Sequence, residues 1–418
     1  MTAQQLQERP ATRSLWRNPS IVALFAGQMV SNAGTGATQI ALPLVVLAYT
    51  GSVLNASILA ALRLAVYALL ALPAGTLIDA VARGAKRQIM ISCEALRAGL
   101  LVSMPLTLIA APHDLAFPLL FVIVAAEALC WAVFDLAVTA VMPTLIPMNQ
   151  MRSASSVTTL TNNMEGLIGQ PLSAALLQIG RAVPFVVDAA TYVVSSISLL
   201  FVRLPAAPYV KTPASLNPFT GVRFLMRHPL LRTLALLCSL ANLTLGGYTL
   251  LLLVLSQRLH ATPIDTGVMF IGAGLGALLG PILVQTVGAR APFAPLFLGG
   301  LLVECALWPL HLLAPSAQAL GGLSLATMTA DQIMNTVQYE LRQLLLPETH
   351  RGRVQAAYKL LLQLSQPIGL TLLGLGLTQL GVETTTLLAC GALTTGSLLA
   401  LASPVIRRAQ VPTQQGEE

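Results

Sequence analysis

The sequence predicts an all-α membrane protein: twelve transmembrane helices in two pseudo-symmetric six-helix bundles. Three observations predict it. Of 418 residues, 55% are hydrophobic and only 9% are charged, with a mean hydropathy of +0.76. A surface facing water needs about 25% charged residues, so a soluble globular enzyme is excluded. Apolar runs recur at the length of a bilayer crossing, about 20 residues. Basic residues fall almost entirely on alternate connections between those runs.

Residues 1–20 are polar and precede the first run, which is too long for the apolar core of a cleavable leader and reads as an uncleaved insertion signal. The first bundle, 21–203, contains candidate spans at 21–48, 53–77, 88–111, 115–141, 154–179 and 182–202. A connection at 204–231 with Pro205, Pro208, Pro213 and Pro218 follows, and its end at Gly221–Arg232 has the pattern of a short amphipathic helix lying on the membrane. The second bundle, 232–404, contains spans at 232–254, 264–287, 292–313, 317–341, 355–379 and 384–404, before a tail at 405–418. Connections such as Tyr49–Ser52 and Gly381–Glu383 are so short that consecutive spans must be antiparallel neighbours. An echo 200 residues apart, Leu145-Ile-Pro147 with Arg152 and Leu345-Leu-Pro347 with Arg353, marks the two halves as repeats.

With the N-terminus cytoplasmic, eighteen Lys and Arg residues lie inside and only Arg181 and Arg258 outside, while Arg63, Arg97 and Lys359 fall within spans. That bias predicts a multi-pass protein of the bacterial cytoplasmic membrane with both termini inside. The net charge of +7 is spread over many loops, where anionic lipid and insertion topology account for it. The expected partners are therefore the lipid bilayer and a small molecule, with no nucleic acid, and the chain is expected to be a monomer. The five cysteines all sit in apolar stretches without CxxC spacing, and the histidines form no ligand cluster, so no disulfide framework, metal site or cofactor is expected.

Polar residues recur at helical spacing within several spans. Span one has Gln28, Ser31, Asn32, Thr35 and Gln39; span four has Glu127, Trp131 and Asp135. Span seven has Asn242, Thr244 and Tyr248; span ten has Thr327, Asp331, Asn335, Gln338 and Arg342. Any one stripe is explained as a seam of interhelical hydrogen bonds; four together point to a wet cavity. A charge at a span centre costs about 2.5–3.5 kcal/mol on insertion scales, yet Glu94, Glu165, Asp188 and Glu304 join those above. Pro171 and Pro367 interrupt spans five and eleven, where the lost N–H kinks a helix.

Several stretches together resemble the major facilitator superfamily, and within it the bacterial efflux branch of macrolide and enterobactin exporters. They are Leu15-Trp-Arg-Asn-Pro19, Leu42-Pro-Leu44, Arg63, Pro73-Ala-Gly-Thr-Leu-Ile-Asp79, Phe185-Val-Val-Asp188, Arg223–Pro229 and Arg351-Gly-Arg-Val-Gln-Ala-Ala-Tyr358. The resemblance implies that spans one, four, seven and ten line a central cavity. It also implies a cytoplasmic gate at Asp79, Arg83, Lys86 and Arg87, with Glu94 and Asp135 at compatible depth. Here the chain departs from the family, since Ala80 stands where the motif has its first Arg.

Helix depth places Glu127, Glu165 and Asp331 near the membrane middle. Glu127 and Asp331 are the candidate proton carriers or counter-charges for a cationic substrate, with Arg63, Asn32, Gln39, Trp131, Asn335 and Tyr248 as further binding groups. Permanent ion pairs of Arg63 with Glu127, or of Arg97 with Glu94 or Glu127, are the alternative. Glu304, mid-span in helix nine, has no account. The expected function is proton-driven export of an amphipathic small molecule by rocker-switch alternating access, with the proton gradient as the energy source. An importer or lipid flippase is the alternative. No HExxH and no GxxxxGK[ST] occurs, so hydrolytic metal chemistry and direct nucleotide drive find no support.

Overall fold

The computed structural model describes residues 17–79, 83–146, 151–204, 219–286, 292–345 and 351–407. All regular structure among them is helical. Six spans form the first half: Pro19–Thr50, Val53–Asp79, Arg83–Ala110, His113–Leu145, span five from Met151 to Ile179, and Val183–Leu200. The second half contains span seven (Pro229–Arg258), Pro263–Thr286, span nine (Phe293–Leu313), Ala317–Leu345, Arg351–Gln379 and Gly381–Ala402. Among the described residues, ten of the twelve are long and apolar enough to cross a membrane. The other two, spans five and ten, carry the polar residues Asn162, Asn163 and Glu165, and Asp331, Asn335 and Arg342. Span five packs against spans one and eight, and span ten against spans eight and nine.

The first span of each half starts alike. Asn18 caps span one, its side chain accepting the Ser20 N–H at 3.0 Å, with Pro19 at the first helical position. His228 caps span seven, accepting the Leu231 N–H at 3.4 Å, with Pro229 in the equivalent place. Proline fits there because its missing N–H would have been unpaired anyway. The two short turns need left-handed backbone: Gly51 closes span one at φ 67° and Gly381 opens span twelve at φ 80°.

Two spans are broken. Pro171 has no N–H, and just ahead of it the chain widens into a π turn at Glu165–Gly169, where the Gln170 N–H reaches the Glu165 carbonyl. Span seven pauses between Gly246 and Tyr248, and there Gly246 presses against the backbone of Gln366, where a Cβ would come within 2.9 Å of Cα. The amphipathic segment forms a helix at Phe219–Arg227 that buries Leu225. Residues 205–218, which hold the four prolines, lie outside the described residues, as do Pro147, Pro347 and Ala80.

Among the described residues the buried apolar side chains form three clusters, the third reaching from the second half to Ile40 and Ala61 of the first. One in the first half surrounds Phe25, Met90 and Phe134, and another Leu59, Leu101 and Phe185. The second half is centred on Phe270, Phe297 and Trp308. The halves meet along spans two and eleven and along spans five and eight. Glycines set the closeness of the second seam: a Cβ on Gly274 would stand 2.8 Å from the Gly166 carbonyl, and one on Gly267 3.1 Å from that of Pro171.

Candidate functional site

At the middle of the first half lies a buried charge network. Arg97 on span three donates to Glu127 Oε1 from Nε at 3.0 Å and from Nη2 at 2.9 Å, and to Glu94 Oε1 at 2.9 Å. Its Nη2 also donates to the Tyr192 hydroxyl at 2.6 Å, and its guanidinium lies 4.0 Å from the Tyr192 ring centre. Arg63 on span two donates to Glu127 Oε2 at 3.0 Å and lies 4.9 Å from the centre of the Trp131 ring, which stacks on Tyr67. All three ion pairs weighed from the sequence are thus present. Glu127 accepts from two guanidiniums, and each carboxylate oxygen is engaged. Such pairing is what allows charges to persist away from water.

Span one, the polar stripe, is the organiser of the remaining acids. Gln39 donates to Glu165 Oε2 at 2.8 Å, and Asn32 to the Thr161 carbonyl at 2.9 Å. Thr38 donates to Asp188 Oδ2 at 2.6 Å, and Ser31 reaches Glu94 Oε2 at 3.3 Å. The stripe is thus satisfied largely as a seam with spans five and six, while Gln39 also faces open space.

That space is a cavity of about 290 Å³ between the halves. On one side it is walled by Thr38, Gln39, Arg63, Glu127 and Tyr192, with Leu42, Leu101 and Val124 beside them. Spans seven and eleven close the other side with Leu245, Leu250, Gln366 and Leu370. Gln366 Nε2 donates to Asn242 Oδ1 at 3.0 Å. A second cavity adjoins it in the second half, sharing Gln366 and walled also by Asn242, Arg342 and Lys359. Spans one, four and seven line the first cavity as the resemblance implied, whereas span ten lines the second, and spans two and eleven contribute to the first as well.

Several expected residues lie elsewhere. Asp331 is in neither wall. It is buried in span ten, where Asn335 donates to both its oxygens at 3.0 Å and Gln332 donates at 3.0 Å. Tyr248 also lies off both walls, bonded to His311 at 2.8 Å and to Ser324 at 3.0 Å. Glu304 is 0% exposed, and neither of its oxygens has a hydrogen-bond partner among the described residues.

Of the gate residues, Asp79 ends span two and Arg83 begins span three, but their side chains lie outside the described residues. Lys86 is buried, and Arg87 donates to the Val202 carbonyl at 3.1 Å, tying span three to the end of span six. Asp135 makes a link between the halves: it accepts from Tyr67 at 2.5 Å and lies 4.0 Å from Lys359 Nζ of span eleven.

Sequence reasoning missed Tyr192, Gln366 and Lys359 as site residues. The signals were present. Asp188, Tyr192 and Ser195 share one helix face in span six, and Lys359, Gln363 and Gln366 share another in span eleven.

The family model described as Major Facilitator Superfamily matches residues 24–370. The chain belongs to this family. It is a multi-pass membrane transporter of a small molecule rather than an enzyme. It is 26% identical over 294 residues to the enterobactin exporter EntS of Citrobacter koseri, covering 66% of this chain and 67% of the relative. The fold matches a bacterial homologue of the human lysosomal transporter Spinster in an inward-facing, unoccupied conformation. That match has a TM-score of 0.70 and 18% identity, and covers 95% of both chains. The nucleoside transporter NupG matches at TM-score 0.71 and 10% identity, over 94% of this chain and 100% of that one. At these identities the structures establish the fold alone.

Proposed function

We propose that this member of the major facilitator superfamily is an exporter that exchanges protons for an amphipathic small molecule, with both chain termini in the bacterial cytoplasm. The observation that carries the proposal is the cavity between the halves: a mainly apolar chamber with a guanidinium and a carboxylate, Arg63 and Glu127, in one wall. An apolar chamber with a few fixed polar groups suits a molecule that is greasy over most of its surface and polar at one point. The similarity to an enterobactin exporter supports the outward direction.

Glu127 is the first proposed coupling residue, because a proton or a cationic group entering the cavity competes with Arg63 for the same carboxylate. Asp331 is the second, held in place by the amides of Asn335 and Gln332. Asp135 with Lys359, alongside Asp79, Arg83, Lys86 and Arg87, forms the proposed cytoplasmic gate.

Vesicles containing the purified protein, with an imposed proton gradient, test this against a panel of dyes, macrolides and siderophores. Uphill flux of at least one compound is expected. Asp331→Asn and Glu127→Gln should each abolish gradient-driven accumulation and leave downhill exchange. Coupled flux surviving in both variants defeats the carrier assignment, and flux only into the cytoplasmic compartment defeats export.

A further inference from the structure

The second cavity, about 370 Å³, differs from the first in its charge. Arg342 from span ten and Lys359 from span eleven both line it, with Gln355, Gln363 and Asn242 among its other walls; no carboxylate is among its described lining residues, although Asp135 stands 4.0 Å from the Lys359 ammonium at its edge. Arg342 is only 7% exposed. Its guanidinium is held by aromatic faces, 3.9 Å from the Tyr358 ring centre and 5.4 Å from that of Tyr339. Yet its Nε and Nη1 have no hydrogen-bond partner among the described residues, nor has the buried Nε2 of Gln355 in the same wall.

Three buried donors without a partner among the described residues, all on residues that line one cavity, are unusual. Most buried polar groups are paired, and unpaired donors on a buried cation cost more than those on a neutral group would. The two ordinary reasons for a basic residue in the last turn of a helix do not apply. Favourable interaction with the helix dipole and the inside-positive bias both leave the charge in water, whereas this one is enclosed. The aromatic faces hold the cation without neutralising it.

We infer that Arg342, Gln355 and Lys359 form a binding site for an anionic oxygen group, a carboxylate or phosphate, in the cavity next to the central chamber. A guanidinium that cannot lose its proton, with free N–H groups and a flexible ammonium close by, is suited to that chemistry. Gln366 lines both cavities, so a molecule with its apolar body in the first chamber would carry its polar end towards this site. That last step rests on the proposed transport function; the anion site itself does not.

The test is therefore a binding measurement without flux. Full-length protein in phosphatidylcholine nanodiscs is titrated calorimetrically with benzoate, with inorganic phosphate and with uncharged benzamide. Saturable binding of at least one anion, and not of benzamide, is expected, and Arg342→Gln should weaken it about tenfold or more. Gln355→Leu should weaken it less. Benzoate against phosphate separates carboxylate from phosphate recognition. Repeating the titration in phosphatidylglycerol nanodiscs separates a soluble anion from a lipid headgroup, since a headgroup occupant would displace the probe.

Thermal unfolding gives a second readout. The anion should raise the midpoint of the wild type and not of Arg342→Gln, and without anion the variant should be at least as stable as the wild type. The inference falls if neither anion outbinds benzamide, if Arg342→Gln binds the anion unchanged, or if that variant is markedly less stable without ligand. The last result would make Arg342 a purely structural group. Because no gradient is involved, failure here leaves the transport proposal standing, and failure of the flux experiment leaves this one standing.

Discussion

Replacing Arg97 by Met probes the charge network with the least change in shape. Arg97 is 2% exposed and serves Glu127, Glu94 and the Tyr192 hydroxyl at once. Methionine fills much of the same space but supplies no donor. Glu127 would keep Arg63 as a partner. Glu94, fully buried, would lose its ion pair and keep only hydroxyl donors such as Ser31 at 3.3 Å. Stranding one member of a buried pair costs about 3–5 kcal/mol, so Arg97→Met should lose stability of that order. The assay is equilibrium unfolding of the purified protein in mixed micelles, followed by circular dichroism. Adding Glu94→Gln to the same chain removes the stranded charge, and the double variant should recover roughly 1–3 kcal/mol of the loss as coupling between the two sites. A loss below about 1 kcal/mol for Arg97→Met, or additivity within about 0.5 kcal/mol, would refute the network as described.

Lys359→Gln should leave stability within about 1 kcal/mol, since the Lys359 and Asp135 side chains are 63% and 38% exposed and their pair spans 4.0 Å. Flux in vesicles should nevertheless change several-fold if the pair gates the cavity, and unchanged flux removes it from the gate. Gly274→Leu should wedge spans five and eight apart, because even a Cβ would lie 2.8 Å from the Gly166 carbonyl and from Leu167 Cα. Disulfide cross-linking between cysteines introduced at positions 267 and 174 should fall sharply, and an undiminished yield contradicts the close seam.

The twelve spans were legible because hydropathy, charge placement and turn length all register the same constraint: the bilayer excludes unpaired backbone and charge. The breaks were partly legible. Pro171 announced a disturbance, but whether a helix answers a missing N–H with a kink or a wider turn depends on its neighbours, here Ala33 and Gly36 of span one, which crowd Gly169. Arg63, Gln39 and Glu127 were found in the central wall because polar groups at helical spacing in apolar spans have few places to go. Asp331 and Tyr248 were legible as buried polar residues but not as residues off the wall. A polar stripe fixes which residues share a face, whereas the rotation of span ten about its axis depends on how it packs on spans eight and nine, where Gly276, Gly280 and Gly300 approach its backbone. Tyr192 and Gln366 were hidden by their setting, one beside the more conspicuous charge of Asp188 and one beside the proline that drew attention to backbone geometry.

The widened turn at Glu165–Gly169 amounts to one extra residue inserted in span five. An unbroken helix keeps its faces in fixed register from end to end. With the insertion, the stretch before the turn offers the Thr161 carbonyl and Glu165 to span one, while the stretch after it sets Pro171 and Ala174 against Gly267 of span eight. One rod thereby answers to both bundles, with its widened turn pressed against Ala33 and Gly36 of span one.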